Sequence, residues 1–139
     1  MKKTNCSFRL AALVFCAVFV VLTPVILYAD DRLHPGEMLR AEEYLTSHNH
    51  QYRLGLQRDG NLVLYDARRH PLWASNTNGQ RVERCVMQTD GNLVLYHRNG
   101  QPVWASNTVG RPGSYLLLQN DGNLVIYQPQ AIWASGTAR

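Results

Sequence analysis

Gln57, Asp59, Asn61 and Tyr65 are four hydrogen-bonding side chains at odd positions of one short segment, QRDGNLVLY, with Val63 among them. The same set returns as Gln88, Asp90, Asn92, Val94 and Tyr96 in QTDGNLVLY. It returns again as Gln119, Asp121, Asn123, Val125 and Tyr127 in QNDGNLVIY, at a constant interval of 31 residues. A carboxylate accepts hydrogen bonds, whereas a carboxamide and a phenol both accept and donate. Neighbouring hydroxyls on a pyranose ring need that mixture, and valine offers an apolar patch to the ring carbons. Asp and Asn also have a simpler use, bonding their own backbone in a turn. That use leaves Gln and Tyr unexplained: they never vary among the three segments, while Arg58, Thr89 and Asn120 between them change freely.

Other chemistries fit less well. Each segment carries one carboxylate, not the facing pair that glycoside hydrolysis normally needs, and no nucleophile stands with a base. His48-Asn49-His50 lacks an evident third metal ligand and reads as a solvated turn. Asp-Gly-Asn lacks the twelve-residue spacing and closing Glu of a calcium loop. The expectation is binding without catalysis, with no cofactor and no metal.

The elements that must position these residues are strands. Runs rich in Leu, Val, Ile, Tyr and Trp are short and bounded by Asp-Gly and Asn-Gly, and no stretch after the first 29 residues sustains a helical period. Each unit adds a second repeated segment, WASNT at Trp73–Thr77 and Trp104–Thr108, then WASGT at Trp133–Thr137. Repetition at this period implies stacked or rotationally related units. A three-residue hairpin loop over Asp59, Gly60 and Asn61 would set Arg58 opposite Leu62, Gln57 opposite Val63 and Leu56 opposite Leu64. Opposed residues share a sheet face. Leu54, Leu56, Leu62 and Leu64 then face inward, and Gln57, Val63 and Tyr65 outward. The inward sets of the other repeats are Cys85, Met87, Leu93 and Leu95, and Leu116, Leu118, Leu124 and Ile126. Cys85 thus replaces a core leucine and reads as a buried thiol. Trp73, Trp104 and Trp133 follow Leu72, Val103 and Ile132, and are expected to meet near a pseudo-threefold axis as core rather than as a ligand platform.

The first 29 residues stand apart. Lys2, Lys3 and Arg9 precede an uncharged run to Leu27, and Ala29 precedes Asp30 and Asp31. This reads as a secretory signal peptide cleaved after Ala29, with an uncleaved membrane anchor as the alternative. Residues 30–139 would form one domain. They hold eleven arginines, no lysine and ten acids, so the high isoelectric point belongs mostly to the leader. Without a basic surface, nucleic acid is not an expected partner. Cys85 is the one cysteine left after cleavage, so no internal disulfide forms and packing must supply stability.

The Q-x-D-x-N-x-V-x-Y motif, intact three times with Trp-Ala-Ser segments between, resembles that of the monocot mannose-binding, snowdrop-lectin-like bulb-lectin family over about Leu33 to Thr137. The resemblance implies an all-β fold, a β-prism of three four-stranded antiparallel sheets around a pseudo-threefold axis. It implies a secreted, multivalent protein that binds α-mannose without calcium. By motif position, Asp59 and Asn61 would hold the axial 2-hydroxyl, Gln57 the 3-hydroxyl and Tyr65 the 4-hydroxyl, with Val63 on the ring carbons. The second and third motifs would repeat these roles. Many plant members carry a disulfide-forming cysteine where Gly60 stands, so a disulfide-free member is implied. Members often dimerise by exchanging the C-terminal strand, here Trp133–Thr137. The implied partners are mannose-containing glycans and a second copy of the chain. The rival readings are a structural or protein-binding β-prism, against which the five retained identities per repeat argue, and a carbohydrate-active enzyme.

Overall fold

Short runs of leucine, valine and aromatic residues broken by left-handed glycines leave room only for brief strands, and twelve form among the described residues. The computed structural model describes residues 30–128 and 130–139; the leader read over residues 1–29 lies outside them. The strands are β1 (Arg32–Leu33), β2 (Met38–Arg40), β3 (Tyr44–Thr46), β4 (Tyr52–Leu56), β5 (Leu62–Asp66), β6 (Pro71–Ala74), β7 (Val82–Met87), β8 (Leu93–His97), β9 (Pro102–Ala105), β10 (Tyr115–Leu118), β11 (Leu124–Gln128) and β12 (Gln130–Ala134). They build three four-stranded antiparallel sheets, ordered β3-β4-β5-β6, β2-β7-β8-β9 and β1-β10-β11-β12.

Each repeat supplies three strands of one sheet. The fourth comes from residues 32–46, which visit all three sheets in turn. This ribbon has a six-residue period: Leu33, Leu39 and Leu45 each enter the core. At the turns between them, His34 N–H donates to Glu37 Oε2 and Arg40 N–H to Glu43 Oε2, both at 2.8 Å. The carboxylates satisfy backbone donors that a two- or three-residue strand leaves open.

The inward faces are as the alternation requires. Leu54, Leu56, Leu62 and Leu64, with their counterparts in the other repeats, are buried in one cluster shared by the three sheets. Cys85 is wholly buried among them and free. Removing it from water pushes its thiol up to about 12.

The hairpin register differs from the expected one by two residues. Leu56 opposes Leu62, Gly55 opposes Val63 and Leu54 opposes Leu64. The loop is longer because Gln57 N–H closes it on the Asn61 carbonyl at 2.9 Å, with Gly60 N–H donating back to the Gln57 carbonyl at 3.0 Å. A shift of two preserves the parity, so the face assignment survives.

A bulge recurs at each motif tyrosine. Leu64 opposes Trp73 but Tyr65 opposes Pro71, and the same step occurs at Leu95/Tyr96 and Ile126/Tyr127. The residue passed over is Leu72, Val103 or Ile132. The bulge lets two successive residues, such as Leu72 and Trp73, both pack against the core. Trp73, Trp104 and Trp133 meet edge-to-face as a triangle with centroids 5.7, 5.8 and 6.4 Å apart, an arrangement that aromatic quadrupoles favour.

The motif glycines join one repeat to the next. Gly60, Gly91 and Gly122 have φ of 91°, 93° and 83°, which side chains resist. A Cβ on Gly60 would lie 2.9 Å from Val82 N, one on Gly91 2.3 Å from Arg111 O, and one on Gly122 2.6 Å from the Tyr52 ring. The contacts run from first repeat to second, second to third and third to first. Asn49 fastens the last of these: its N–H donates to Asn120 Oδ1 at 2.8 Å, and its Nδ2 to the Asn120 carbonyl at 2.9 Å.

Candidate functional site

Each hairpin loop presents its polar residues on the outer side of its sheet, and the local bonding explains why. Asp59 Oδ1 accepts the Asn61 N–H at 2.9 Å, an Asx turn that shapes the loop. Asp90 and Asp121 hold Asn92 and Asn123 in the same way, both at 2.9 Å. The turn uses one lone pair of one carboxylate oxygen, which leaves the carboxylate with further acceptor capacity.

The asparagine is oriented by the Trp-Ala-Ser segment. Ser75 Oγ donates to Asn61 Oδ1 at 3.1 Å, and Thr77 N–H donates to the same oxygen at 3.2 Å. Ser75 Oγ also accepts the Leu62 N–H at 3.0 Å, and Thr77 Oγ1 donates to the Gly60 carbonyl at 2.7 Å. Ser106 and Thr108 treat Asn92 alike, at 3.2 Å each. Ser135 and Thr137 treat Asn123 alike, at 3.1 and 3.3 Å. The amide oxygen is thereby occupied, so the Nδ2 group is the end left to donate outward. Among the described residues nothing accepts from it. The Ser-x-Thr pairs were visible as repeats in the sequence but not legible as partners of Asn. The signal was their constant pairing with the motif.

Glutamine links the other two groups. In the third site Gln119 Nε2 donates to both Asp121 oxygens at 3.1 and 3.3 Å, and Tyr127 Oη donates to Gln119 Oε1. Gln88 makes the same bridge when its amide is turned so that Oε1 accepts from Tyr96 and Nε2 donates to Asp90 at 3.2 and 3.3 Å. In the first site Gln57 Nε2 lies 2.6 Å from Tyr65 Oη. The third site, and the second with its amide turned, join Asp, Gln and Tyr by hydrogen bonds, whereas in the first Gln57 bonds Tyr65 and not Asp59.

Valine is the exception in exposure. Val63, Val94 and Val125 lie on the outer faces, apart from the core cluster, yet are only 3, 3 and 2 % exposed. Their share of an apolar contact is small, and most of any ligand surface would meet the polar groups.

The first site lies on a shallow, open depression whose lining includes Gln57, Asp59, Tyr65, Tyr44, Arg53 and Arg58. Arg58 is tied to both Glu42 oxygens at 2.9 Å. Among the described residues no group of three or more His, Cys, Asp or Glu gathers as a metal site. His48 and His50 sit exposed in a turn.

No family model matches the chain. A mannose-specific lectin of Galanthus nivalis is 44% identical over 72 residues, which is 51% of this chain and 43% of that protein. The chain spans less than half the length of the curated relatives it matches. Solved structures match more fully. A monomeric monocot mannose-binding lectin from Gastrodia elata is 45% identical, with a TM-score of 0.72, over 79% of this chain and 100% of that one. The mannose-specific agglutinin of snowdrop bulbs, solved with methyl-α-D-mannoside, is 44% identical, with a TM-score of 0.66, over 79% and 99%. Identity at this level over whole relatives, joined to three sheets, three intact motifs and the same prism, makes this chain a member of the monocot mannose-binding, bulb-type lectin family.

Proposed function

We propose that this chain is a multivalent, non-catalytic lectin that binds α-mannose at three sites without metal. One observation carries the reading: the chain builds the same donor–acceptor constellation three times and spends six further side chains, the Ser-x-Thr pairs, on orienting its asparagines. A loop that served the fold alone would not need its amide aimed outward.

The roles follow from which atoms are already engaged. Asp59 supplies an acceptor and Asn61 Nδ2 a donor, the pair that one axial 2-hydroxyl requires. Gln57 and Tyr65 face the 3- and 4-hydroxyls; Tyr65 Oη accepts from Gln57 Nε2 and keeps its own proton to donate, whereas Tyr127 Oη donates to Gln119 and is left to accept. Val63 touches the ring carbons over a small area. Asn92, Asp90, Gln88, Tyr96 and Val94, and Asn123, Asp121, Gln119, Tyr127 and Val125, act alike. One carboxylate per site holds a sugar and leaves no second group for general acid–base work. The leader at residues 1–29 would direct the protein out of the cell, so the mature chain begins at Asp30.

Changing Asp59, Asp90 and Asp121 together to Asn tests the site. Each Asn keeps the oxygen that holds the loop but loses the charge and one acceptor. Titration with methyl α-mannoside in the presence of a chelator should show no binding by a protein whose circular dichroism is unchanged. Undiminished binding would overturn the assignment.

A further inference from the structure

The three sites are alike in their motifs but not in what lies past the motif tyrosine. Across each hairpin, the residue directly opposite that tyrosine is Arg53, Arg84 or Tyr115. Beyond Tyr65 a cavity of about 500 Å³ opens, lined by Thr46, His50, Gln51, Arg53 and Arg69 with Asp66. Tyr65 and Arg53 also line the first-site depression, so the two spaces flank the same pair of side chains.

Two arginines give this cavity its character. Arg69 holds a left-handed backbone, φ 64°, where the matching turn of the second repeat places Gly100 at φ 87°. The equivalence is fixed by hydrogen bonding: Arg69 N–H donates to the Asp66 carbonyl as Gly100 N–H does to that of His97, both at 3.0 Å. A non-glycine residue there costs on the order of 1 kcal/mol, a cost that Glu42, His50, Asn76, Arg81 and Asn107 also carry; what is particular to Arg69 is the guanidinium it adds to the cavity lining. Arg53 rests on the Tyr44 ring with its Cζ 4.1 Å from the centroid, which leaves its N–H edges open. Among the described residues neither Arg53 nor Arg69 has a carboxylate partner. The nearby Asp66 carboxylate is held by its own turn, whose His70 N–H keeps its pKa below the usual carboxylate value, so it stays ionised at the cavity wall and the two arginines must outweigh it. It accepts the Arg68 and His70 N–H groups at 2.9 Å each and meets His70 Nδ1 at 3.3 Å.

The other sites lack this pair. Arg84 lies over its own motif tyrosine, 5.2 Å from the Tyr96 centroid, and reaches the His97 carbonyl at 3.5 Å. Tyr115 carries no charge and stacks on Tyr127 at 5.8 Å.

We infer that the first site is extended past Tyr65 by a subsite that takes an anionic group, phosphate or carboxylate, carried by a mannose-containing glycan, with Arg53 and Arg69 as its donors. The inference rests on the mannose reading of the motif. Two exposed charge pairs should together strengthen binding about threefold to tenfold at low salt.

The test is a set of ¹H–¹⁵N titrations of the mature protein with methyl α-mannoside, mannose 6-phosphate and an α-mannosyl uronic acid. Shifts in each repeat report each site separately. The expected result is that one or both acidic ligands bind the first site more tightly than the neutral one, with shifts at Arg53 and Arg69, and that the third site shows no preference. Which acidic ligand gains more tells phosphate from carboxylate. Arg69→Gly, which the second repeat's turn already tolerates, and Arg53→Gln should each lower the acidic-to-neutral ratio at the first site. An equal affinity for all three ligands there, or a ratio unmoved by both variants, overturns the inference while leaving the mannose reading intact. Failure of methyl α-mannoside at every site would instead remove the reading on which it rests.

Discussion

A serine decides the direction in which each asparagine points. Ser75 Oγ serves Leu62 N–H and Asn61 Oδ1 at once in a buried position. Ser75→Ala leaves the Leu62 donor without its partner, a loss of about 1–3 kcal/mol. It should also let Asn61 turn, so that mannoside binding weakens at the first site and not at the others. Urea unfolding measures the first effect and site-resolved NMR titration the second. Cys85 allows a pH prediction of definite sign. Its thiol is held protonated, up to about 12 against an ordinary value of 9.0. The folded chain therefore binds that proton more tightly than the unfolded chain does. The stability involved is complete below pH 9.0 and is lost as pH rises toward 12. Unfolding midpoints should fall across that window, and Cys85→Val should remove this part of the decline. Thiol reagents should label the native protein at neutral pH only on unfolding.

At the scale of elements, the hairpins were legible because Asp-Gly is a strong local signal and leucine alternates around it. Their register was not, since it depends on Gln57 N–H reaching the Asn61 carbonyl, a bond that no spacing announces. An odd loop of either length leaves the leucines inward, which is why the face assignment survived. The ribbon of β1, β2 and β3 went unread for another reason. Strands of two or three residues are too short to show alternation, and their only trace is a leucine at every sixth position. The family resemblance supplied the number of strands per sheet but not where the fourth comes from. That ribbon is structurally costly to disturb. Leu39→Ala, in the middle of it, should destabilise the fold by about 2–5 kcal/mol through lost burial and the cavity left behind. Chemical denaturation measures the change, and a loss near zero would mean that β2 does not seal its sheet.

At the scale of the whole molecule, three sites on three sheets face different directions. They cannot join on one small sugar but can engage a branched or crowded surface. A site making a few exposed hydrogen bonds should hold free mannose weakly, on the order of millimolar. Linked engagement should raise apparent affinity on dense mannan by about 10²–10⁴. Calorimetry with methyl α-mannoside, set beside surface binding to mannan, measures both. Equal affinity per site in the two formats would exclude multivalency as the working principle. Here β12 pairs with β11 of its own sheet. Exchange of that strand between two copies would preserve the same pairings and double the number of sites, and sedimentation of the mature protein detects it.

The ribbon also sets a schedule for synthesis. Arg32 and Leu33 find their partners at Leu117 and Leu116, more than eighty residues further along the chain. The first of the described strands is among the last to be paired. Until the third repeat has been made, β1 has no partner strand for Leu33 to pack beside. Most pairings here are hairpins between consecutive strands, but β1–β10 and β2–β7 are distant ones, which form slowly, and the sheet of the third site cannot close until β10 exists. A chain stopped after two repeats would present two motifs and an open core, not two-thirds of a lectin. Of the three sheets, the one that carries the third motif closes last, because it alone takes strands from both ends of the described chain.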